Sequence, residues 1–452
     1  MFQVAPIFRM AQLDVIVVGA GIAGLSSALA LTRAGVKVAL LEARGRTGGR
    51  IFTLWDDALN SPIEVGAEFI HGRPPQIWNM LDELKITPKE ISGENWCFAD
   101  HELRPCDFFG EVEDLLGKMD EEAPDESFLS FVQRCCPEER FDPAKKWATG
   151  YITGFHAADP AQISVHSIIK SSKADEKIHG ERAYRIPAGY QVLIGHFTDE
   201  LKRANVPIHL QTIVEEISWS KAKVRARARR DDGPVTFEST KALITLPLSV
   251  LQAKAGESGA VRFSPELPQA KNCALQNLAM GKAGRVVLRF RERFWDNLRP
   301  THPAKGLSDL CFLFSREPWF PTWWTAMPQK TPVITGWAPF PDAAQLAGKS
   351  VDLVISMALQ ALGGLLGVSA NDLEKLLERG YWHDWEADPF SRGAYSYVKV
   401  GGDNAQRDLG APVESTLYFA GEGTDDTGHN GTVHAALASG QRAAREILTD
   451  KT

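Results

Sequence analysis

The chain predicts a mixed α/β fold, and three observations carry that prediction. Its 452 residues are 44% hydrophobic and 24% charged, an ordinary globular composition with room for two or three domains. Near the start, an apolar run, a glycine-rich turn and a helical pattern lead into a second apolar run. Near the end, a strand-like segment again hands over to an amphipathic helix, so strand and helix alternate as in layered α/β proteins.

Taken in order, "DVIVVGA" from residue 14 reads as a buried strand, "GIAGLSSALALTRAG" as a helix and "VKVALLE" as a second strand. Gly35 stands where a helix C-cap belongs. "SKAKVRARARR" sets Lys221, Lys223, Arg225, Arg227 and Arg229 at alternate positions, and "DDG" then turns the chain into "PVTFEST". That pattern predicts a hairpin with one basic face. With a formal net charge of −7 on the whole chain, the face reads as solvated rather than as a binding patch. "KALITLPLSVL" predicts another buried strand. The region 270–385 is rich in Trp and Phe and helical around 350–379. Finally "STLYFAGEGTDD" is strand-like and "GTVHAALASGQRAAREIL" helical.

The acidic balance disfavours a nucleic-acid or anionic-membrane partner. "VDLVISMALQALGGLLGV" tempts a membrane reading, but Asp352, Gln360 and Gly363–Gly364 interrupt it, and an amphipathic helix serves as well. The six cysteines show no CxxC or His/Cys metal spacing and read as reduced thiols. The first residues lack a secretory pattern, and Met10 is an alternative start. Together these predict a soluble cytoplasmic protein without a metal. Oligomeric state is not readable.

"GAGIAG" supplies Gly19, Gly21 and Gly24 between strand and helix. The first permits a tight turn, the second lets a diphosphate approach the backbone, and the third lets the helix pack on the sheet. The diphosphate then meets free N–H groups at the helix N-terminus. Glu42 ends the second strand 18 residues after Gly24, placed for a ribose and against a 2′-phosphate. Directly after it, "ARGRTGGR" adds Gly48 and Gly49 for a second close approach. Arg46 and Arg50 add two forks for phosphate and ribose oxygens.

This combination resembles the two-dinucleotide-motif FAD family of amine oxidases, protoporphyrinogen oxidases and carotene desaturases. Further segments resemble the flavin-dependent amine oxidases: "IEVGAEFIHG" (63–72), "IVEEI" around Val214, "WEADPFSRGAYSYVKVGG" (385–402) and "LYFAGEGTDDTGHNGTVHAALASG" (417–440). Polyamine oxidases and lysine-specific histone demethylases share these motifs most closely, then bacterial monoamine oxidases. The resemblance runs from residue 14 to about 447 and is weaker in the middle.

It implies FAD held by the glycines above, with Ala23, Ala43 and Arg44 beside them. Gly66, Ala67, Glu68 and Phe69 would lie against the flavin and Val214 by the adenine. Gly421 and Glu422 fall on the pyrophosphate and ribityl side, Thr432 and Val433 at the flavin edge. The last helix would direct its N-terminus at the ring. Trp385 and Tyr395 would wall the space in front of it, which suits an amine; on burial grounds alone, Tyr395 reads as a core strand aromatic.

Several positions depart from the family pattern. Ala394 stands where covalent-flavin monoamine oxidases carry Cys, so the FAD is expected to be non-covalent. Thr432 replaces the second cage aromatic. Arg285 in "MGKAGRVVLRFRERFW" falls on the family Lys, with Lys282 three residues earlier; this questions reaction with oxygen, though a lone strand Arg also reads as a surface residue. His71 falls near the expected pocket mouth, either sensing amine charge or hydrogen-bonded in the core. Glu68–Phe69 after "GA" disfavours amino-acid substrates. The resemblance implies a Rossmann-like FAD domain (10–85, 200–275, 385–452) and a discontinuous mixed substrate domain (86–199, 276–384). The expected activity is oxidation of a primary or secondary amine by hydride transfer to flavin N5, with oxygen or another acceptor regenerating the cofactor. A desaturase or porphyrinogen oxidase, and a silent FAD-binding scaffold, are the alternatives.

Overall fold

The structure, a computed structural model, describes residues 13–300 and 306–450. The first strand, β1 (Leu13–Val18), is apolar along its whole inner run because it lies inside a parallel sheet. Helix α1 (Ile22–Arg33) follows, and Gly35 just beyond it adopts φ +84°, the left-handed closure that its position predicts. Strand β2 (Val38–Leu41) returns parallel to β1 with Val18 beside Leu41.

On the other edge of β1 lies the strand Gly233–Ile244, in parallel register from Leu13–Ser239 to Val18–Ile244. The expected hairpin is there, Lys223–Arg230 pairing antiparallel with the first half of that strand. "KALITLPLSVL" is not a further strand, however. Its first four residues continue the hairpin's second strand inward, and Leu248–Leu251 is a short helix. Leu417–Phe419 pairs in parallel beside Ala242–Ile244 and so carries the C-terminal segment into the same sheet.

The basic hairpin face is exposed and neutralised from within: Arg225 pairs with Glu238, Arg227 with Glu215 and Glu216, and Arg229 with Glu215. Such solvated pairs contribute little.

A second, seven-stranded sheet runs in the order Leu377–Trp382, Gly284–Phe290, Val333–Ala338, Thr322–Thr325, Leu310–Phe314, Glu94–Ala99, Glu102–Pro105. One of its faces packs on the helix Val351–Leu366, which buries Val354, Ala358, Leu362 and Leu365. The apolar stretch at 351–368 is thus a core helix, ended by Gly367 at φ +66°. Among the described residues no single helix is long and apolar enough to cross a membrane; this helix and Ala370–Leu376 together are, but they meet at 114°. Residues 377–379 belong to a strand rather than to the expected helix.

Two further details differ from the sequence expectations. The domain boundary expected at 199/200 falls inside the helix Gln191–Arg203, which buries Leu193, Ile194 and Phe197 in the cluster that holds α1. Cys97 and Cys106 form a disulfide across a hairpin that sets their Cα atoms 5.7 Å apart. Reduced thiols therefore do not describe this pair, and the cytoplasmic reading loses one of its supports. Cys135, Cys136, Cys273 and Cys311 are free.

Candidate active site

The glycine turn is built as its spacing requires. A Cβ on Gly24 would lie 2.0 Å from the Gly19 carbonyl oxygen, so helix and strand touch backbone to backbone. A Cβ on Gly21 would meet nothing within 4 Å and would project into a cavity instead. No side chain caps the N-terminus of α1, which leaves its first-turn N–H groups for an anion. The Glu42 carboxylate, 4% exposed, accepts from the N–H of Ala20 at 2.8 Å and of Arg44 at 2.9 Å.

The "GGR" loop lies beside this turn: Gly48 donates its N–H to the Ala20 carbonyl at 2.8 Å and bridges to Gly21. At Gly48, φ is +104° and a Cβ would lie 2.8 Å from the Ile51 carbonyl oxygen. The paired glycines thus let one loop nest on another.

The arginines divide in a way that the motif does not disclose. Arg46 spends its fork on the carbonyls of Thr47, Ile51 and Gly49 and stacks 3.9 Å from the Phe52 ring centroid. It braces its own loop and does not line the cavity, contrary to the phosphate role expected for it. Burial and the neighbouring Arg44 lower its pKa to about 10. Arg44 holds Asp388 and Ser391, each at 2.8 Å. Arg50 donates one nitrogen to both the Ala394 carbonyl and Glu422, each at 2.8 Å.

Glu422, 4% exposed, is the clamp of the C-terminal motif. It accepts from Arg50, from the N–H and hydroxyl of Ser396, and from the Gly431 N–H. Beside it, Gly421 has open space where a Cβ would stand. Thr432 caps the helix Val433–Thr449, accepting from the Ala435 N–H at 3.1 Å and donating to the His429 carbonyl at 2.7 Å.

Strand alternation explains Arg285. Val286 and Leu288 face the second-sheet core, so Arg285 faces the opposite way. It is 5% exposed, not a surface residue, and donates to the carbonyls of Glu64 at 3.2 Å and Gly66 at 2.6 Å. Its other nitrogen lies 3.0 Å from Glu68, and the guanidinium sits over Trp324 at 5.2 Å. Glu68 also takes Arg185 at 2.7 Å and the Trp324 indole at 3.0 Å. Against its burial, these two arginines hold the Glu68 pKa below the ordinary value. Burial lowers that of Arg285. Glu64 has no such pair: burial pushes its pKa up to about 7, although Tyr190 N–H and the Thr53 hydroxyl donate to it.

The glycine turns, the Glu422 clamp and Arg285 border one cavity of about 1210 Å³. It is lined by Gly19, Ala23, Glu42, Ala43, Gly66, Ala67, Phe69 and Val214. Trp385, Tyr395, Thr432 and Val433 line the same cavity. Trp385 donates to the Val65 carbonyl at 2.8 Å, and Tyr395 donates to the Phe155 carbonyl at 2.6 Å. Tyr395 is therefore cavity wall and not strand core. The His71 ring stands edge-on to Phe69 and Phe155 with no hydrogen bond to its nitrogens among the described residues. The hydrogen-bonded core alternative fails for it, and burial lowers its pKa below the ordinary histidine value. Gly24 packs under the turn without lining the cavity.

Sequence reasoning missed Arg185, which holds Glu68, and the cavity-lining Tyr151, Phe155 and Asp175. They lie on segments with no motif, and only the aromatic density of the middle region hinted at Trp324.

The sequence profile of one family, described as flavin containing amine oxidoreductase, matches residues 22–137 and 114–448. Polyamine oxidase 4 of Oryza sativa subsp. japonica is 26% identical over 464 residues, covering 96% of this chain and 88% of that protein. Lysine-specific histone demethylase 1 homolog 3 of Arabidopsis thaliana is 27% identical over 96% of this chain but only 30% of its own length. In fold, the chain is similar to a putrescine oxidase bound to putrescine, with a TM-score of 0.78, 20% identity and 97% and 100% of the two chains covered. Cyclohexylamine oxidase from Brevibacterium oxydans IH-35A gives 0.76, 19%, and 97% and 99%.

Proposed function

The chain belongs to the flavin-containing amine oxidoreductases, with FAD as cofactor, and from that premise we propose that it oxidises a primary or secondary amine to an imine, which water converts to an aldehyde or ketone. The observation that carries this reading is the single cavity joining the glycine turns to an aromatic wall. The residues fit the cofactor. Gly21 and Gly421 leave open space where side chains would intrude, and the uncapped first turn of α1 suits a diphosphate. Glu42 has oxygens for a ribose, and Arg50 has a second guanidinium nitrogen with no protein partner among the described residues.

When bound, FAD supplies two-electron acceptance, in our reading by taking a hydride from the amine α-carbon at N5. The chain's own residues orient and exclude water. Trp385 is fixed by its bond to Val65 and Tyr395 by its bond to Phe155, so neither ring is free to swing. Phe69 and Trp324, 5.5 Å apart, extend the apolar wall that favours the neutral amine. The remaining first-turn N–H groups of the helix capped by Thr432 would stabilise negative charge built up beside them. We further propose that Ala394 leaves the FAD non-covalent, and that the FAD and substrate regions divide as expected from the sequence except at 199/200, where the helix Gln191–Arg203 goes whole with the FAD region.

Electrons pass on to oxygen or to another acceptor. Arg285 favours the second course, because its fork is already committed to two carbonyls and Glu68. The test is anaerobic mixing of the yellow protein with a panel of amines while the flavin absorbance is followed. Bleaching by an amine supports the reading; lasting colour with all of them refutes it. Air admitted afterwards reads the acceptor, since slow recolouring points away from oxygen.

A further inference from the structure

The helix Phe128–Cys135 ends where two cysteines stand side by side in the chain. Within a helix, neighbouring side chains point roughly 100° apart and do not face each other. Cys136 escapes that rule because it has left the helix, with φ −134° and ψ 61°, while its N–H still bonds the Val132 carbonyl at 3.2 Å. Its side chain is turned back beside Cys135, and the two Sγ atoms stand 2.8 Å apart as free thiols. A sulfur–sulfur bond is about 2.0 Å long, so less than an ångström of approach separates the pair from bonding distance.

The two sulfurs differ in access. Cys135 is partly exposed, whereas Cys136 is fully buried in a cluster with Phe128, Phe131, Val132, Ala148 and Ile152. An oxidant therefore meets Cys135 first, with Cys136 directly behind it. Neither residue lines the cofactor cavity. The Lys118 ammonium lies 4.0 Å from the Cys136 sulfur, and its charge, like that of Arg134, favours a thiolate. Burial, with Cys136 alongside, outweighs both and pushes the Cys135 thiol up to about 11. Its attack is therefore slow at neutral pH and quickens as pH rises.

Two cysteines can also serve as a structural staple, and this pair is unfit for that. In the chain-entropy account a disulfide stabilises by closing a loop, and a bridge between neighbours closes none. Their Cα atoms, about 3.8 Å apart across one peptide, are also closer than ordinary bridges set them, which makes such a bond easy to reduce. Cys97 and Cys106 differ on both counts, since they face each other across a hairpin with Cα atoms 5.7 Å apart.

We infer that Cys135 and Cys136 form a reversible redox site, closed to a vicinal disulfide by hydrogen peroxide and reopened by a thiol. The Cys135 thiolate attacks one peroxide oxygen: an S–O bond forms, the O–O bond breaks, and hydroxide leaves to take up the proton that the thiol released. The Cys136 sulfur then attacks Cys135: the S–S bond forms, the S–O bond breaks, and the Cys136 proton leaves with the oxygen as water. Two thiols together lose two electrons, and one peroxide becomes two waters.

Trypsin cuts after Arg134 and Arg140, so one peptide, 135–140, carries both cysteines and no other. The holoenzyme is treated with hydrogen peroxide and quenched, its remaining thiols are capped with N-ethylmaleimide, and the peptide is weighed by mass spectrometry. The expected peptide lacks two hydrogens and takes no maleimide; dithiothreitol before capping restores one that takes two. In Cys136→Ala, Cys135 is expected to stop at the sulfenic acid and be trapped by dimedone. Closure is expected to leave the thermal midpoint level or lower, and a rise would overturn the redox role in favour of a staple. A parent peptide that still takes two maleimides, at a dose that oxidises the exposed Cys273, overturns the inference. So does Cys135 carried on to sulfinic or sulfonic acid while Cys136 still takes a maleimide.

Discussion

Arg285 is a buried cation whose partners come from far along the chain: Glu64 and Gly66 through their carbonyls, Glu68 through its carboxylate. Breaking a buried pair leaves a charge without its partner, so Arg285→Met is expected to destabilise the protein by about 3–5 kcal/mol in denaturant unfolding. Glu64 makes a pH prediction at the same scale. Its folded pKa is raised to about 7 by burial, above that of the unfolded chain. The folded state therefore holds a proton that the unfolded state has lost, and stability falls as pH rises through about 7. Glu64→Gln keeps an acceptor for Tyr190 and is expected to flatten the thermal midpoint between pH 5 and about 7; an unchanged slope contradicts this burial account. Reading such residues from sequence was uneven. Glu42 and the glycines were legible because their partners lie within one strand–turn–helix unit. Arg285 was not, because its partners lie on a distant segment that only folding brings near, and Arg46 was not, because a motif does not tell whether a fork turns outward or onto the carbonyls of its own loop.

Among elements, the helix Val351–Leu366 separates apolar composition from apolar environment. Leu362 is fully buried against the second sheet, whereas Val351 and Leu353 are 45% and 47% exposed. Leu362→Ala is expected to cost about 2–5 kcal/mol and Leu353→Ala far less, measured by chemical unfolding. A membrane-inserted helix would not show that contrast. The basic hairpin makes the opposite prediction: Arg225→Ala leaves the thermal midpoint within experimental scatter, since its pair with Glu238 is solvated. Periodicity revealed both elements. It did not reveal that "KALI" continues the hairpin strand, because a buried parallel run and a new strand look alike in sequence. Nor did six unpatterned cysteines disclose which two would face each other across a hairpin.

At the scale of the molecule, two distant ends of the chain build one wall. Arg50 and Glu422 meet at 2.8 Å, and Arg44 and Asp388 meet at the same distance. This explains why the cofactor motifs were legible at both termini, while Tyr151 and Asp175 on the cavity wall were not. They lie on two helices with no motif, Asp142–Gly154 and Val165–Glu176. Ala394 sets a further expectation: acid precipitation releases the yellow colour into the supernatant, and a yellow pellet would contradict non-covalent FAD.

The central claim is that this one cavity holds FAD and oxidises an amine in front of it. Its most direct test is anaerobic titration of the purified flavoprotein with a monoamine from the panel, counting both flavin bleached and carbonyl product formed. The expected result is one carbonyl group per flavin reduced. Colour that persists through the titration and the rest of the amine panel, in a flavin that dithionite still bleaches, would contradict it.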